Sequence, residues 1–358
     1  MLRTRSLFPL VLVALAWLGA AHAETVWYVG QDPDGRTVVL ELDWTPEAAL
    51  ARGRLLHGPA RPGQLGGLEL AFEAEIDAAN DARAERPDDR HAETADRLRL
   101  EAVATDADGA TVTLAIAADA ARSAQDGAPS AAGPPDPFGE ARIEVGPLRG
   151  AARWETTLSA IGTRYALRAE LDDGSFEVSA SAPFFYADPW RTLPLHDDPA
   201  VTAESVVAGL TARAERPRSV SGQWWEVRRT EIVSLSPELV SARTDVHAYA
   251  GGAHPNLRYA SLNVAWDGSV WTRVDVCGAL EVLDRPCDEA ALRARVIAEL
   301  RARQAAWTLD GEVDGATPWL LEPFTVGPTG LRFDYAPYEV GPYASGPFSV
   351  EVPFEELP

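Results

Sequence analysis

Residues 239–266, LVSARTDVHAYAGGAHPNLRYASLNVAW, set the terms for the fold. Apolar and polar residues alternate from Leu239 to Tyr249 and again from Tyr259 to Trp266. A period of two turns one face of each segment toward a core and the other toward water, as in antiparallel strands. Between them, Gly251 and Gly252 permit positive φ or close backbone approach. Pro255 pushes His254 out of the α region. The stretch predicts two strands joined by a Gly-rich turn that presents a histidine.

The same period runs through the N-terminal third. Val38, Leu40, Leu42 and Trp44 alternate with Val39, Glu41 and Asp43, and Leu68 to Ile76, Leu98 to Ala102 and Val112 to Ile116 repeat the pattern. Asp34-Gly35, Asp108-Gly109 and Asp172-Asp173-Gly174 supply turn signals. Residues 79–96 are polar and contain Pro87, which reads as a solvated loop, and 118–140 are rich in Ala, Ser, Gly and Pro, which reads as a flexible linker or long loop. Strands resume at Ile143–Val145, Tyr165–Leu167 and Phe176–Val178, either closing the first sheet or opening a second domain. The division expected is a β-rich domain over 24–150 and a second domain over 175–358.

Helical signals are few. Ala203 to Arg213 is one. The better case is Asp288 to Trp307, where Leu292, Val296 and Leu300 recur every four residues and Asp288 is a good N-cap. The fold class expected is therefore α+β: an antiparallel β-rich domain, then an α+β domain with one long amphipathic helix against a sheet.

Export is read from the first 23 residues. Arg3 and Arg5 precede an apolar stretch, Leu7 to Leu18, too short to span a bilayer, and Ala21-His22-Ala23 is a small-x-small cleavage site. The expectation is a signal peptide cut after Ala23, no transmembrane segment, and a periplasmic or secreted protein. Cys277 and Cys287 are the two cysteines, and an even count in an exported chain predicts a disulfide between the start of the 288–307 helix and a strand ending at Asp275-Val276.

The charge of −22 argues against a general nucleic-acid binder, since phosphate neutralisation needs clustered cations, and favours a basic partner. Lysine is absent, so a P-loop lysine, a Schiff base and a Ser-Lys dyad are excluded. No G-x-S-x-G, H-E-x-x-H or helix-opening G-x-G-x-x-G occurs. His247 and His254 are the only close histidines after residue 23; no metal and no cofactor is assigned. The candidate binding residues are Tyr249, His254 and Asn256 around the Gly-rich turn, with Tyr338, Glu339 and Tyr343 on the Pro/Gly-rich connection 336–347. Tyrosine offers rigid contact area with a polar tip. Each stretch also has a structural alternative, a histidine that caps nearby backbone and tyrosine hydroxyls that satisfy it.

The two unusual stretches, in this order, resemble the extracytoplasmic domain shared by the lysozyme-sensing anti-sigma-V factor and by the segment preceding the catalytic domain of some peptidoglycan deacetylases. The matching residues are Tyr249, Gly251 to His254, Asn263, Gly268 and the run Gly330 to Gly346, with Tyr335 in place of the family's second Phe. The resemblance is specific over about 245–358, extends more weakly to about 175, and leaves 24–150 uncovered. It implies an α+β fold and, by the anti-sigma factor, binding of lysozyme; it supplies no catalytic residue set. The function expected is non-enzymatic envelope binding of a lysozyme-like basic protein, or of a peptidoglycan or glycan ligand. The alternatives are a periplasmic hydrolase that pairs His254 with a carboxylate such as Asp275 or Glu339, and a structural envelope protein.

Overall fold

The computed structural model describes residues 24–45, 50–57, 68–75, 97–105, 109–119, 140–147, 152–170, 176–195 and 224–357. The expected signal peptide, the 79–96 loop, the Asp172-Asp173-Gly174 turn and the 203–213 helix lie outside these residues.

Eight antiparallel strands make the N-terminal part: β1 (Glu24–Gln31), β2 (Thr37–Thr45), β3 (Leu50–His57), β4 (Leu68–Glu75), β5 (Arg97–Thr105), β6 (Thr111–Asp119), β7 (Glu140–Val145) and β8 (Trp154–Glu170). Each pairs with the next, and β8 pairs back onto β1, so the sheet closes into a barrel. The alternation explains its interior. Tyr28, Leu40, Leu55, Leu70, Leu100, Leu114, Ile143 and Leu158 all belong to one buried cluster. The expected Asp34-Gly35 turn forms, with Gly35 at φ 79° and the Asp32 carboxylate accepting the Asp34 and Arg36 N–H groups. The linker-like stretch joins β6 to β7, which are hydrogen-bonded neighbours, so it connects two strands of one barrel.

The alternation also predicts a wet outer face, and at Val39 of β2 that is wrong, as the neighbouring strands show. Trp27, Val39 and Leu56 point out of the barrel yet are buried, because a second sheet covers them. That sheet grows from the far half of β8. β9 (Phe176–Phe185) pairs with residues 162–170 of β8, and β10 (Trp224–Leu235) joins β9 in parallel. β11 (Leu239–Tyr249), β12 (Asn256–Trp266) and β13 (Trp271–Arg273) then follow antiparallel. Ile232, Val240, Leu262 and Trp271 complete the shared core. Its polar border is buried too. Glu41 accepts from Arg54 at 2.5 Å, and Arg54 and Arg164 donate to the carbonyls of Ile232 and Thr230 at 2.9 and 2.8 Å.

Helix α1 (Val276–Val282) follows β13, where a strand ending at Asp275-Val276 was expected. The correction has a local cause: the Asp275 carboxylate accepts the Gly278 N–H at 2.8 Å, and Val276, Ala279 and Leu280 recur at helical spacing into the core. The long helix expected to Trp307 is instead α2 (Glu289–Ala302) followed by the single turn α3 (Ala306–Leu309). Gln304 takes φ 62° between them and ends the first helix. Asp288 caps α2 as expected, accepting the Ala291 N–H at 3.0 Å. The Cys277–Cys287 disulfide ties α1 to the residue before that cap. These helices share a core with a small sheet of β14 (Phe324–Val326), β15 (Gly330–Tyr335) and β16 (Phe348–Pro353). The architecture is thus mostly β, with few helices.

Gly162 is a point of close approach on β8. It is paired with Trp27 on one side and Phe185 on the other. A Cβ there would stand 2.5 Å from Phe185 Cδ1 and 2.7 Å from the Phe184 carbonyl oxygen. Gly162→Ala is expected to cost about 2 kcal/mol as an overpacked site, whereas Gly315→Ala, with nothing within 4 Å of its Cβ, leaves the denaturation midpoint in place. Chemical denaturation of both variants checks this.

At one end of the barrel, buried His57 meets Asp32, Nε2 to Oδ2 at 2.8 Å. Burial pushes the imidazole below its ordinary value, and the Asp32 carboxylate only partly opposes this. The unfolded chain therefore binds the proton more readily than the folded one. The stability that His57 contributes is present above about pH 6.5 and is lost as pH falls through that value toward the lower folded one. The melting temperature of the wild type, relative to His57→Gln, should drop between about pH 7.5 and about pH 5; a constant difference would contradict this.

Candidate functional site

The Gly-rich turn between β11 and β12 and the connection between β15 and β16 meet. Gly251 and Gly252 adopt φ 83° and 113°, which only glycine takes up at no steric cost. The turn carries His254 outward, and its ring stacks on Tyr343 with centroids 3.5 Å apart and planes 15° apart. The Tyr343 hydroxyl donates to the Pro255 carbonyl at 3.0 Å. His254 Nδ1 lies 3.0 Å from the same oxygen. A carbonyl only accepts, so this contact puts the proton on Nδ1. Nε2 is left as the acceptor for the Tyr338 hydroxyl, 3.4 Å away. The Tyr338 ring lies 5.7 Å from Tyr343 and 6.3 Å from His254.

The six sequence candidates separate on this geometry. His254, Tyr338 and Tyr343 form one aromatic cluster. Tyr249 turns inward to the turn itself, donating to the Gly252 carbonyl at 3.1 Å. Asn256 opens β12, exposed, opposite Ala248. Glu339 is half-buried and accepts the Ala336 N–H at 2.7 Å, holding the connection together. Burial pushes its carboxyl up, and the bond from Ala336 opposes that. Asp275 is engaged as the α1 cap. Among the described residues, no carboxylate pairs with His254, and no group of three or more His, Cys, Asp or Glu is arranged to hold a metal.

Tyr338 is unusual. It takes φ 73°, strained for a non-glycine residue. Its N–H donates to the Gly341 carbonyl at 3.1 Å, and its side chain is 53% exposed. The backbone is held in a costly state while the aromatic ring is offered to solvent.

The frame beneath is polar. Ser241 Oγ donates to Asn263 Oδ1 at 2.6 Å and accepts the Val326 N–H, and Asn263 Nδ2 donates to the Phe324 carbonyl. These bonds dock β14 on β11 and β12. Arg243 joins Asp245 and Asp334 at 2.8 and 2.9 Å and lies over the Tyr259 ring, fixing β15 to the larger sheet. Sequence reasoning took up Asn263 only through the family pattern and missed Ser241 and Arg243, which look like ordinary strand residues until their partners some 90 positions away are known.

Residues 288–355 match a protein family of unknown function, DUF3298. The DUF3298 segment runs from the cap of α2 to the end of β16, so it holds both tyrosines of the cluster, and His254 comes from outside it. Comparison with curated proteins finds no match. Two crystal structures of DUF3298 family proteins are similar to this chain. One, from Bacteroides fragilis NCTC 9343, has 16% identity and a TM-score of 0.33 and covers 54% of this chain and 89% of its own. The other, from Pseudomonas aeruginosa PAO1, has 14% identity and a TM-score of 0.35 and covers 54% of this chain and 91% of its own. Among the described residues, no helix is long and apolar enough to cross a membrane.

The strain at Tyr338 has a measurable consequence. Tyr338→Gly and Tyr338→Ala both remove the ring, but only glycine accepts φ 73° freely. The glycine variant should be more stable by about 1 kcal/mol, and equal denaturation midpoints would show that residue 338 is unstrained in solution.

Proposed function

We propose that this chain is an exported, non-enzymatic binding protein of the cell envelope, and that His254, Tyr338 and Tyr343 are its contact surface. One observation carries the reading: Tyr338 is kept exposed on a strained backbone beside a stacked His–Tyr pair. Such a surface presents flat apolar faces with polar tips, suited to a protein hot spot or to the face of a sugar ring. The partner proposed is a basic protein of the lysozyme type or a peptidoglycan glycan. The charge of −22 supports a cationic protein through steering. The likeness to the lysozyme-sensing domain supports the same partner by analogy. The hydrolase alternative has less support, because His254 faces a carbonyl and a tyrosine hydroxyl, and the carboxylates of Glu339 and Asp275 cap backbone.

The test is titration of the chain without residues 1–23 against a basic lysozyme and against soluble peptidoglycan fragments. Binding of one of them is expected, weakening with salt for the protein ligand. Tyr338→Ala should weaken it at least about tenfold with no loss of melting temperature. A variant that binds like the wild type, or a wild type that binds neither, defeats the proposal.

A further inference from the structure

β12 is paired with β11 along its whole length, from Ala248↔Asn256 to Leu239↔Ala265. Its other edge is covered at one end only. β13 takes Val264–Trp266, and the Val274 N–H adds a bond to the Asn263 carbonyl at 3.0 Å. In an antiparallel ladder both backbone groups of a residue point to one side, and successive residues alternate. Since Asn263 faces the outer edge, so do Ser261, Tyr259 and Leu257. Among the described residues, none of these three has a main-chain partner on that side. Asn256, Arg258 and Ala260, interleaved with them, are exposed, which brings this half of the strand to solvent.

An open edge offers donors and acceptors at ladder spacing, a pattern that another extended backbone matches. We propose that the outer edge of β12, from Leu257 to Ser261, is a strand-addition site for an extended segment of a basic polypeptide. The occupant follows from the surroundings. The chain itself fills the far end with β13, running antiparallel, and leaves the edge after Val274 to enter α1. An antiparallel guest continues the line where β13 departs. Its other end reaches Asn256, beside the Pro255 carbonyl that Tyr343 and His254 hold. Exposed Asp275 and Glu322 adjoin the Ser261 end, Asp275 following Val274 and Glu322 through its carbonyl, which accepts from Ser261 Oγ at 3.2 Å. The edge itself carries one charge, Arg258. The total of −22 attracts a cationic guest and repels a second copy of the chain. The inference rests on the binding reading above, to which it adds a backbone contact that reading does not require.

The probe is an acetylated, amidated heptapeptide of alternating Arg and Thr, compared with a Glu/Thr counterpart and with an Arg/Thr peptide N-methylated at alternate residues on the edge-facing side. With the full chain, the Arg/Thr peptide should slow hydrogen exchange at the Leu257, Tyr259 and Ser261 amides. The N-methylated and Glu/Thr peptides should each bind at least about tenfold more weakly. Leu257→Pro removes one outward N–H where proline is tolerated, on an edge facing solvent, and should weaken the Arg/Thr peptide similarly at unchanged melting temperature. If that variant does not fold, the N-methylated comparison on the wild type decides. Equal binding of the N-methylated peptide, no protection of the three amides, or no binding at ~1 mM peptide overturns the inference. Binding of lysozyme or peptidoglycan through Tyr338 with the three amides unprotected keeps the aromatic surface and discards strand addition. Protected amides with a silent Tyr338→Ala do the reverse.

Discussion

The fold depends on the contact of Trp27 and Phe185 across Gly162. β8 is 17 residues long, and Gly162 is where it belongs to two structures at once. On one side it closes the barrel against β1; on the other it starts the sheet that leads to β9 and β10. The Trp27 and Phe185 rings stand 5.7 Å apart, tilted by 58°, and a Cβ at 162 would stand 2.5 Å from the Phe185 ring. Around them the outer wall of the barrel and the inner face of the β10–β13 sheet share one core. Burial of this apolar area is the main favourable term holding the two parts together.

That shared core makes the polar border intelligible. Glu41 is 6% exposed, a costly place for a carboxylate unless it is paired. Arg54 supplies the pair, Arg164 approaches at 3.5 Å, and both arginines also satisfy carbonyls of β10. The bonds give little net stability compared with an apolar contact. They do fix where β10 lies against the barrel. From β10 the register passes through β11 to β12, and so to the turn that carries His254. The docking of β14 through Ser241 and Asn263 then brings Tyr338 and Tyr343 to the same end. The aromatic cluster is the terminus of a chain of rigid pairings, which would suit the binding role proposed for it.

Much of this was legible in the residues. Period-two alternation marked β2, β4, β5 and β6 of the barrel, Asp34-Gly35 its first turn, Asp288 the cap of α2, and Cys277 with Cys287 the disulfide. These are local signals, set by backbone sterics, side-chain alternation and capping bonds over a few positions. Glycine and proline also marked the two stretches that come together at the cluster. Local signals failed where distant partners decide. Val39 looked like the wet side of a strand, and only the second sheet makes it core, together with Trp27 and Leu56. Gln304 looked like a helix interior, and the chain leaves the helix there.

The sequence by itself determined the β-rich character, the positions of strands such as β2, β4, β5, β6 and β11, and the rigid presentation of His254, Tyr338 and Tyr343, because each follows from the conformational limits of a few consecutive residues. Tertiary structure alone decided that the first eight strands close on themselves, that Tyr343 stacks on His254 from 89 positions away, that Glu339 holds backbone instead of meeting the imidazole, and that among the described residues half of the β12 edge has no main-chain partner. Those outcomes depend on which strands run out of length, as β13 does at Arg273, and on which faces meet, and neither is written in any one segment of the chain.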